Sequence, residues 1–290
     1  MTSRTVVCWN DSAPADAAAE WALRRAGSGG RRVELFDVVD AADFIDEPLR
    51  LERARDLARE RLEERRCDLA DAYPNARLES HLLVGDPLSL LAEKTRPGTL
   101  VVVGTAQRVT PHFTYGWSLG ARLASAASGP VAIVPLEEPE VAQGRSGVMV
   151  GIDESDISEL ALRYAAGEAA SLGARLKVVH CWQEPLAEDP LVVPSEAFVA
   201  YHETVHQELL DHHVRLVKQE HPELHIVPVL LRKHPVTGLR SESDNEFMVV
   251  VGSRRLTGWK RAWLGSVSHG LVLTLRAPTV VVGDETETDA

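Results

Sequence analysis

Short runs of β-branched and apolar residues alternate along this chain with longer segments in which apolar residues recur at helical spacing. In the first half, the short runs predict strands at residues 5–9, 33–39, 78–84, 100–104 and 130–134. The longer segments predict helices at residues 13–27, 48–73, 87–95 and 118–128. Strands that alternate with helices are typical of a parallel sheet with helices on both faces. The first half is therefore predicted to be an α/β domain.

The second half repeats the order of the first. Its predicted strands lie at residues 148–152, 176–182, 225–231, 247–252 and 279–282, and its predicted helices at 155–172, 195–220, 235–243 and 266–276. A shift of 143 residues places Val7 on Val150, and a shift of 148 places Pro87 on Pro235. A repeat of this length has the size of a whole domain. We predict two related domains at residues 1–136 and 147–283, joined by an exposed linker at 137–147.

Composition narrows the classes of function. The chain has 290 residues, a formal net charge of −12 and three cysteines that lie far apart in sequence. An acidic chain lacks the basic field that non-specific binding to nucleic acid or to anionic lipid requires. No run approaches the roughly 20 apolar residues of a membrane span, and the first residues lack a signal-peptide pattern. The expectation is a cytoplasmic protein without a disulfide framework, nucleic-acid partners or membrane contacts.

A candidate anion site lies between the strand that ends at residue 252 and the helix that begins at 266. In an open parallel sheet, ligands bind beyond the carboxyl ends of the strands, where the strand order reverses. A glycine there lets the backbone approach a ligand, and the unpaired N–H groups of a helix N-terminus attract anions. Asp153 ends the first strand of this half, beside the same point. The other candidate binding residues are Gly252, Ser253, Arg254, Gly265, Ser266, Val267 and Ser268.

The sequence of this segment resembles a known family. Residues 249–268 begin Val249-Val250-Val251-Gly252 and end Gly265-Ser266-Val267-Ser268. They strongly resemble the C-terminal signature of the universal stress protein family, and residues 150–155 add a further match. The resemblance covers essentially the whole chain. It implies a tandem member with two Rossmann-like (adenine nucleotide alpha hydrolase-like) domains, each a five-stranded parallel sheet flanked by helices.

The same resemblance implies the roles of the candidate site. Asp153 stands where the family places an acid that contacts adenosine, and the loop from Gly252 to Ser268 would surround the phosphates of ATP. Nucleotide-binding members have a second glycine three positions after the first, and this chain has Arg255 there. The match is therefore specific for the fold and partial for ATP binding.

The two halves differ at these positions. The first half has Asn10, Gln107 and Trp117 where the second has Asp153, Arg255 and Gly265. Gly104 and Ser118 are the matches that remain. An indole where a phosphate must approach is expected to block the site, and the aromatic side chains of residues 112–117 are expected to fill the groove. ATP is therefore expected in the second domain only, and the first domain is predicted to be structural.

Two functions stay open on the sequence. The first is a stress-response protein whose second domain binds ATP or a related adenine nucleotide. The second is a nucleotide-free protein-interaction and dimerisation module of the same family, which Arg255 favours. No Ser-His-Asp set, metal cluster or Walker lysine is recognisable, so we expect neither an enzyme nor a bound metal, with a slow ATPase as a distant third alternative.

By resemblance, the fifth strands of the two halves, at residues 130–134 and 278–282, pair the domains into an intrachain pseudo-dimer. Such a pseudo-dimer can associate further into a homodimer.

Histidines in the second half invite a metal interpretation. His202-Glu203-Thr204-Val205-His206 matches the short zinc-protease pattern, and His212 follows at the distance of a third ligand. The extended pattern needs a glycine that turns the chain, and Leu209 occupies that position. We therefore predict a surface helix without zinc. His180 lies in a predicted buried strand and is expected to make a hydrogen bond in the core.

Overall fold

A computed structural model of the chain describes residues 4–27, 30–106, 119–137, 139–184, 195–253, 265–274 and 276–283. Within these ranges, ten strands form one continuous sheet with helices on both faces. The α/β fold predicted from the alternating pattern is confirmed, including a five-stranded parallel sheet for each repeat. None of the described helices is long and apolar enough to span a lipid bilayer.

The first repeat supplies one half of the sheet. Its strands are β1 (Arg4–Cys8), β2 (Arg32–Val39), β3 (Arg77–Val84), β4 (Thr99–Thr105) and β5 (Val131–Pro135). Its helices are α1 (Ala13–Ala26), α2 (Pro48–Ala72), α3 (Pro87–Ala92) and α4 (Leu119–Ala126), with a short 3-10 helix at Ala41–Phe44 before α2. A further helix, α5 (Pro139–Gly144), leads into the second repeat.

The second repeat supplies the other half. Its strands are β6 (Val148–Ile152), β7 (Leu176–Trp182), β8 (Ile226–Arg232), β9 (Met248–Ser253) and β10 (Thr279–Gly283). Its helices are α6 (Asp156–Leu172), α7 (Glu196–Glu220), α8 (Pro235–Glu242) and α9 (Ser266–Leu273). These bounds agree with the predicted strands and helices to within a few residues. The differences lie at the ends of the elements, which are set by caps that the sequence shows only in part.

The strand order is β3-β2-β1-β4-β5-β10-β9-β6-β7-β8, so the two repeats meet at their fifth strands. Strands within each repeat are parallel, whereas β5 and β10 are antiparallel. Ala132 lies opposite Val280 in this pair, and the 148-residue shift carries Ala132 onto Val280. The same position of each repeat therefore meets its own equivalent at the centre of the sheet.

The core has two layers, one on each face of the sheet. On one face, α1, α2, α6 and α7 cover a cluster that runs through both repeats and includes Trp21, Leu69, Ala165 and Leu210. On the other face, α3, α4, α8 and α9 cover a second cluster. Strands covered on both faces explain why β4 and β9 read as unbroken apolar runs in the sequence.

Local sequence signals mark the start of α1 and the ends of α1 and α6, the helices that follow the first strand of each repeat. Ser12 lies before α1, and its Oγ accepts a hydrogen bond from the N–H of Ala15 at 3.4 Å. Helix α1 ends at Gly27, with φ +52°, and α6 ends at Gly173, with φ +62°. Positive φ favours glycine at such helix C-termini.

Much of the described linker between the repeats is exposed, as predicted, but it contains a helix and one buried side chain. The sequence predicts an exposed segment at residues 137–147, but this segment contains α5, and the Arg145 side chain is only 5 % exposed. Arg145 forms an ion pair with Glu137 and donates to the backbone carbonyl oxygens of Asp244, at 2.6 Å, and of Arg276. Arg145, which the sequence places in a polar linker, thus attaches this segment to the second repeat through partners that are distant in sequence.

Candidate functional site

A cleft opens at the carboxyl ends of β6 and β9, which are neighbours in the sheet. Helix α6, after β6, packs on one face of the sheet, whereas α9, after β9, packs on the other. Chain connections that diverge in this way leave a crevice at the switch point of an open sheet. The crevice holds a cavity of about 90 Å³. Three predicted site residues line it: Asp153, Gly252 and Val267.

Most of the remaining lining was not predicted as part of the site. Gly151, Val179 and Leu239 form apolar walls, and Ser155 and Ser158 contribute hydroxyls. Apart from Ser155, which directly precedes α6, these residues belong to β6, β7, α6 and α8, and all of them are distant in sequence from the glycine-containing loop. The ends of the neighbouring parallel strands were the signal that could have found Gly151 and Val179, because those ends meet at one edge of a sheet.

Asp153 lies at the exposed edge of the cleft, in a turn held by its own neighbours. Its Oδ1 accepts hydrogen bonds from the backbone N–H of Ser155, at 2.9 Å, and from the Ser155 hydroxyl. The backbone N–H of Asp153 donates to Ser158 Oγ at 2.6 Å. A side chain that accepts from the backbone two residues ahead forms an Asx turn. The turn fixes an exposed carboxylate beside the cavity.

Gly252 lies where β9 touches the first turn of α6. A Cβ at this position would lie 2.5 Å from Ile157 Cγ2 and 3.0 Å from the Ile157 carbonyl oxygen. Real Cβ atoms do not approach other atoms that closely, so Gly252 is required for the helix to pack on the strand. From the sequence, Gly252 is expected either to let the backbone approach a ligand or simply to make a turn. The structure adds a reason that holds without a ligand.

The start of α9 lies beside the cavity. Gly265 is the N-cap residue, and its backbone N–H donates to Ser253 Oγ at 3.2 Å. No side-chain hydrogen bond caps α9 in the described part of the chain, and Ser266 is exposed in its first turn. An uncapped helix N-terminus carries partial positive charge and N–H donors that can bind an anion.

Ser268 has a different position from the one expected. It is 1 % exposed, and its hydroxyl donates to the carbonyl oxygen of Gly252 at 2.8 Å. This hydrogen bond ties α9 to the end of β9 and turns the hydroxyl of Ser268 toward the strand. Arg254, which is one of the predicted binding residues, and Arg255 lie outside the described residues.

Cys181 lines the cavity from β7. Burial raises the pKa of its thiol to about 11, against the opposing effect of the Lys233 ammonium. A neutral thiol behaves as a small apolar group, and its reactivity is low because the thiolate is the nucleophile. Cys181 therefore contributes an apolar contact to the cleft rather than a reactive centre.

The histidines of the second repeat form a stacked cluster next to β7. His180 Nδ1 lies 2.9 Å from the carbonyl oxygen of Ile152, and its Nε2 lies 2.9 Å from His206 Nδ1. The predicted core hydrogen bond of His180 is thereby confirmed. His202 and His206 stack near Trp182, with centroid separations of 6.5 Å and 5.0 Å. Among the described residues, no group of three or more His, Cys, Asp or Glu side chains has the geometry to hold a metal ion.

The equivalent crevice of the first repeat keeps the backbone plan and changes the side chains. A Cβ on Gly104 would lie 1.9 Å from the carbonyl oxygen of Pro14, which occupies the position of Ile157. Asn10 Oδ1 accepts from the Ser12 hydroxyl at 2.7 Å, in the same way as Asp153 accepts from Ser155. The bond to the serine hydroxyl is thus kept, but the carboxylate is replaced by an amide, and the backbone differs because Asp11, after Asn10, has φ +50°.

Two further exchanges alter the first crevice. Cys8 takes the position of Gly151 and is 7 % exposed. Gly120 takes the position of Ser268 and so lacks the hydroxyl that ties α9 to the end of β9. Gln107, Trp117 and the aromatic run at 112–117 lie outside the described residues, so the predicted blocking of this crevice stays a prediction.

Comparisons with known proteins settle the family. The sequence model described as the universal stress protein family matches residues 1–135 and again residues 145–283. The chain belongs to the universal stress protein family. A universal stress protein of Mycolicibacterium smegmatis is 26 % identical over 282 residues, which is 94 % of each chain. Universal stress protein Rv2005c of Mycobacterium tuberculosis is 28 % identical over 207 residues, or 70 % of this chain and 68 % of the relative.

Solved structures of universal stress proteins share the fold. The crystal structure of a universal stress protein from Archaeoglobus fulgidus matches with a TM-score of 0.64 and 16 % identity, over 98 % of this chain and 99 % of that one. A putative universal stress protein from Pseudomonas aeruginosa matches with a TM-score of 0.55 and 16 % identity, over 98 % and 94 % of the two chains. The tandem arrangement of this universal stress protein thus occurs over the full length of a solved relative.

Proposed function

We propose that this universal stress protein binds ATP or a related adenine nucleotide in the cleft of its second domain, as a switch in a stress response. The observation that carries the proposal is the cleft at the β6–β9 switch point, which brings Asp153 and the start of α9, uncapped by any described side chain, to one cavity. A carboxylate and a helix N-terminus suit the two ends of a nucleotide, because ribose hydroxyls donate and phosphates accept.

Each part of the cleft has a role in this proposal. The Asp153 carboxylate accepts from the ribose, in a turn that Ser155 and Ser158 already hold. The apolar walls, which include Val179 and Leu239, contact the base. The N–H groups at the start of α9, with Gly265 and Ser266, meet the phosphates, and Arg254 neutralises part of their charge. Gly252, Ser253, Val267 and Ser268 shape the loop that carries these groups.

The alternative is a nucleotide-free interaction module, and one observation favours it. The described cavity of about 90 Å³ is smaller than the roughly 300 Å³ at the lower end of small-molecule sites. A nucleotide would fill this cavity with one ring and extend through the open mouth. In the alternative, the same cleft stays empty and the protein acts through its surface.

Assembly, location and activity form the rest of the proposal. The antiparallel pairing of β5 with β10 supports an intrachain pseudo-dimer of domains 1–136 and 147–283, which can associate further as a homodimer. Membership of the family supports a cytoplasmic protein that regulates rather than catalyses. In this proposal the first domain stabilises the second and binds no nucleotide, and the protein needs no metal of its own.

Isothermal titration with ATP tests the proposal directly. We expect one site per chain, abolished by Gly265→Trp and kept in the control variant Gly265→Ala. Both substitutions suit the backbone, since Gly265 has φ −55° and a Cβ would come no closer than 3.9 Å to Ser268 Oγ. Two equivalent sites would show that the first domain also binds. Absence of binding at millimolar ATP would favour the nucleotide-free module.

A further inference from the structure

The interface between the two domains places equivalent positions of the repeats opposite each other. Ala132 of β5 faces Val280 of β10, its own equivalent. The same relation holds between the helices on one face of the sheet. Arg25, in the last turn of α1, meets Glu168 of α6, and these two residues are separated by the 143 positions of the repeat shift. The pair therefore lies on the same pseudo-two-fold relation as the paired strands.

Arg25 and Glu168 form a fully buried ion pair. Their side chains are 0 % and 1 % exposed. Arg25 Nε donates to Glu168 Oε2 at 2.9 Å, and Nη2 donates to Oε1 at 2.6 Å. Arg25 Nη1 donates to Thr5 Oγ1 at 2.9 Å, and Arg31 Nη1 donates to Glu168 Oε2 at 3.1 Å. Two parallel hydrogen bonds fix the orientation of the guanidinium on the carboxylate.

Opposite charges at one repeat position make the interface selective. If two first domains paired in this way, Arg25 would face a second Arg25. If two second domains paired, Glu168 would face a second Glu168. A buried charge without its partner is strongly destabilising, whereas the intact pair adds little net stability over apolar side chains of similar size. The pair is therefore better suited to choosing a partner than to adding stability.

We infer that the Arg25–Glu168 pair makes the domain interface heterotypic, so that a first domain accepts a second domain and rejects a copy of itself. The partner that fits the α1 face of the first domain is the α6 face of a second domain, from the same chain or from another copy. This specificity rests on the pseudo-dimer proposed above and is independent of nucleotide binding. It means that chains of this protein can exchange domains only in the complementary combination.

Charge reversal in the full chain tests the inference. Arg25→Glu places two carboxylates together, and Glu168→Arg places two guanidinium groups together, so each variant should unfold about 10 °C or more below wild type. The double reversal Arg25→Glu/Glu168→Arg should recover most of this loss within one chain. Effects of the two reversals that simply add would overturn the inference, because they would show that the two positions do not choose each other.

Mixing the two single variants gives a second readout. The first domain of the Arg25→Glu chain is complementary to the second domain of the Glu168→Arg chain, and the remaining two domains keep the wild-type pair. Chains refolded together from denaturant should form a one-to-one complex that unfolds at a higher temperature than either variant alone. The inference would be contradicted if the mixture formed no complex and unfolded like the two separate variants. This test also applies when neither variant folds alone, since the complex should then fold only in the mixture.

Two control variants keep the outcomes distinct. Glu34→Arg disrupts an ion pair inside the first domain, where Arg4 Nη2 lies 2.7 Å from Glu34 Oε2, so it should destabilise the chain without rescue by mixing. Ala132→Cys/Val280→Cys should form a disulfide within one chain if β5 and β10 pair in solution. If the disulfide forms but mixing gives no rescue, the pseudo-dimer stands and only the charge selection is rejected. If the disulfide does not form, the pseudo-dimer itself is rejected.

Discussion

The crevices of the first and second domains share a backbone plan and differ in a few side chains. Both place a glycine, Gly104 or Gly252, where the fourth strand of the repeat touches the first turn of a helix. Both hold a side-chain oxygen, of Asn10 or Asp153, with a serine hydroxyl two residues on. The shared features serve packing and turn geometry. The described group that could select a nucleotide, the Asp153 carboxylate, is among the features that differ.

Adding a methyl group to each of these two glycines should have the largest effect on stability, and it separates a packing role from a role in ligand binding. Gly104→Ala drives a Cβ into the Pro14 carbonyl at 1.9 Å, and Gly252→Ala drives one into Ile157 Cγ2 at 2.5 Å. Backbone yields less than a methyl group, so Gly104→Ala should cost about 3 kcal/mol of unfolding free energy and Gly252→Ala somewhat less. Urea unfolding measures both. Gly265→Ala is the matched control and should be neutral.

Unchanged stability in Gly104→Ala would show that the glycine is not needed for packing. The equivalence of the two crevices would then have to be explained by a ligand in both.

The next effect is expected from exchanging the acid and the amide. Asp153→Asn gives the second domain the side chain of the first and keeps an oxygen that accepts from Ser155, so the turn should survive. Loss of the charged acceptor should weaken ATP binding about tenfold, since hydrogen bonds to charged groups contribute roughly 1.5–3 kcal/mol. Titration calorimetry measures the change. The reciprocal Asn10→Asp should create no site, and a new site there would contradict the assignment of the first domain as structural.

The cysteines report on the two crevices without changing the sequence. Burial raises the pKa of Cys181 to about 11 and that of Cys8 to about 12, whereas Cys67 is exposed. Alkylation at pH 8 should therefore modify Cys67 first and Cys8 last. Saturating ATP should slow the modification of Cys181 severalfold and leave Cys67 as the internal control. Peptide mass spectrometry measures the modification of each cysteine. If ATP slowed the modification of Cys181 and Cys67 equally, its effect would lie outside the cleft.

The smallest effect concerns pH, because the second strands carry different buried groups at one repeat position. Burial lowers the pKa of His180 from 6.5, against the carboxylates of Asp153 and Glu154, and burial raises the pKa of Asp37 from 3.8. The unfolded chain protonates His180 more readily, so its contribution to stability falls as pH drops below about 6.5. For Asp37, the folded state protonates more readily, so stability lost near neutral pH returns as pH falls toward 3.8.

Unfolding curves of His180→Gln and Asp37→Asn between pH 4 and 8 measure these contributions. His180→Gln should flatten the loss of stability in acid. Asp37→Asn should stabilise the chain at pH 7 by an amount that shrinks as pH falls. Two curves that stay parallel to that of the wild type would show that neither group titrates differently on folding.

Sequence patterns predicted the fold because it depends on short-range signals. The spacing of apolar residues located the ten strands, and the proline that begins α3 and α8 located two helix starts. The presence of a glycine at the candidate site said less about its function. A glycine records that a side chain is excluded, and Gly252 is compatible with exclusion by a ligand or by Ile157.

Contacts between distant segments were beyond sequence reasoning. The bonds of Arg145 to carbonyl oxygens near residue 244 and at residue 276 depend on how the second repeat folds back on α5. The hydrogen bond between His180 and His206 likewise joins β7 to α7. Neither contact leaves a periodic trace in the chain, because each depends on the packing of whole elements.

The pairing of β5 with β10 has a consequence for how the protein is made. β5 ends at Pro135, but its partner begins only at Thr279, more than 140 residues later. While the ribosome synthesises the second repeat, the nascent first repeat carries an unpaired strand edge, which is a template for aggregation. Termination before β10 would leave that edge exposed permanently. Translation must therefore pass β10 before this edge of the first repeat is protected.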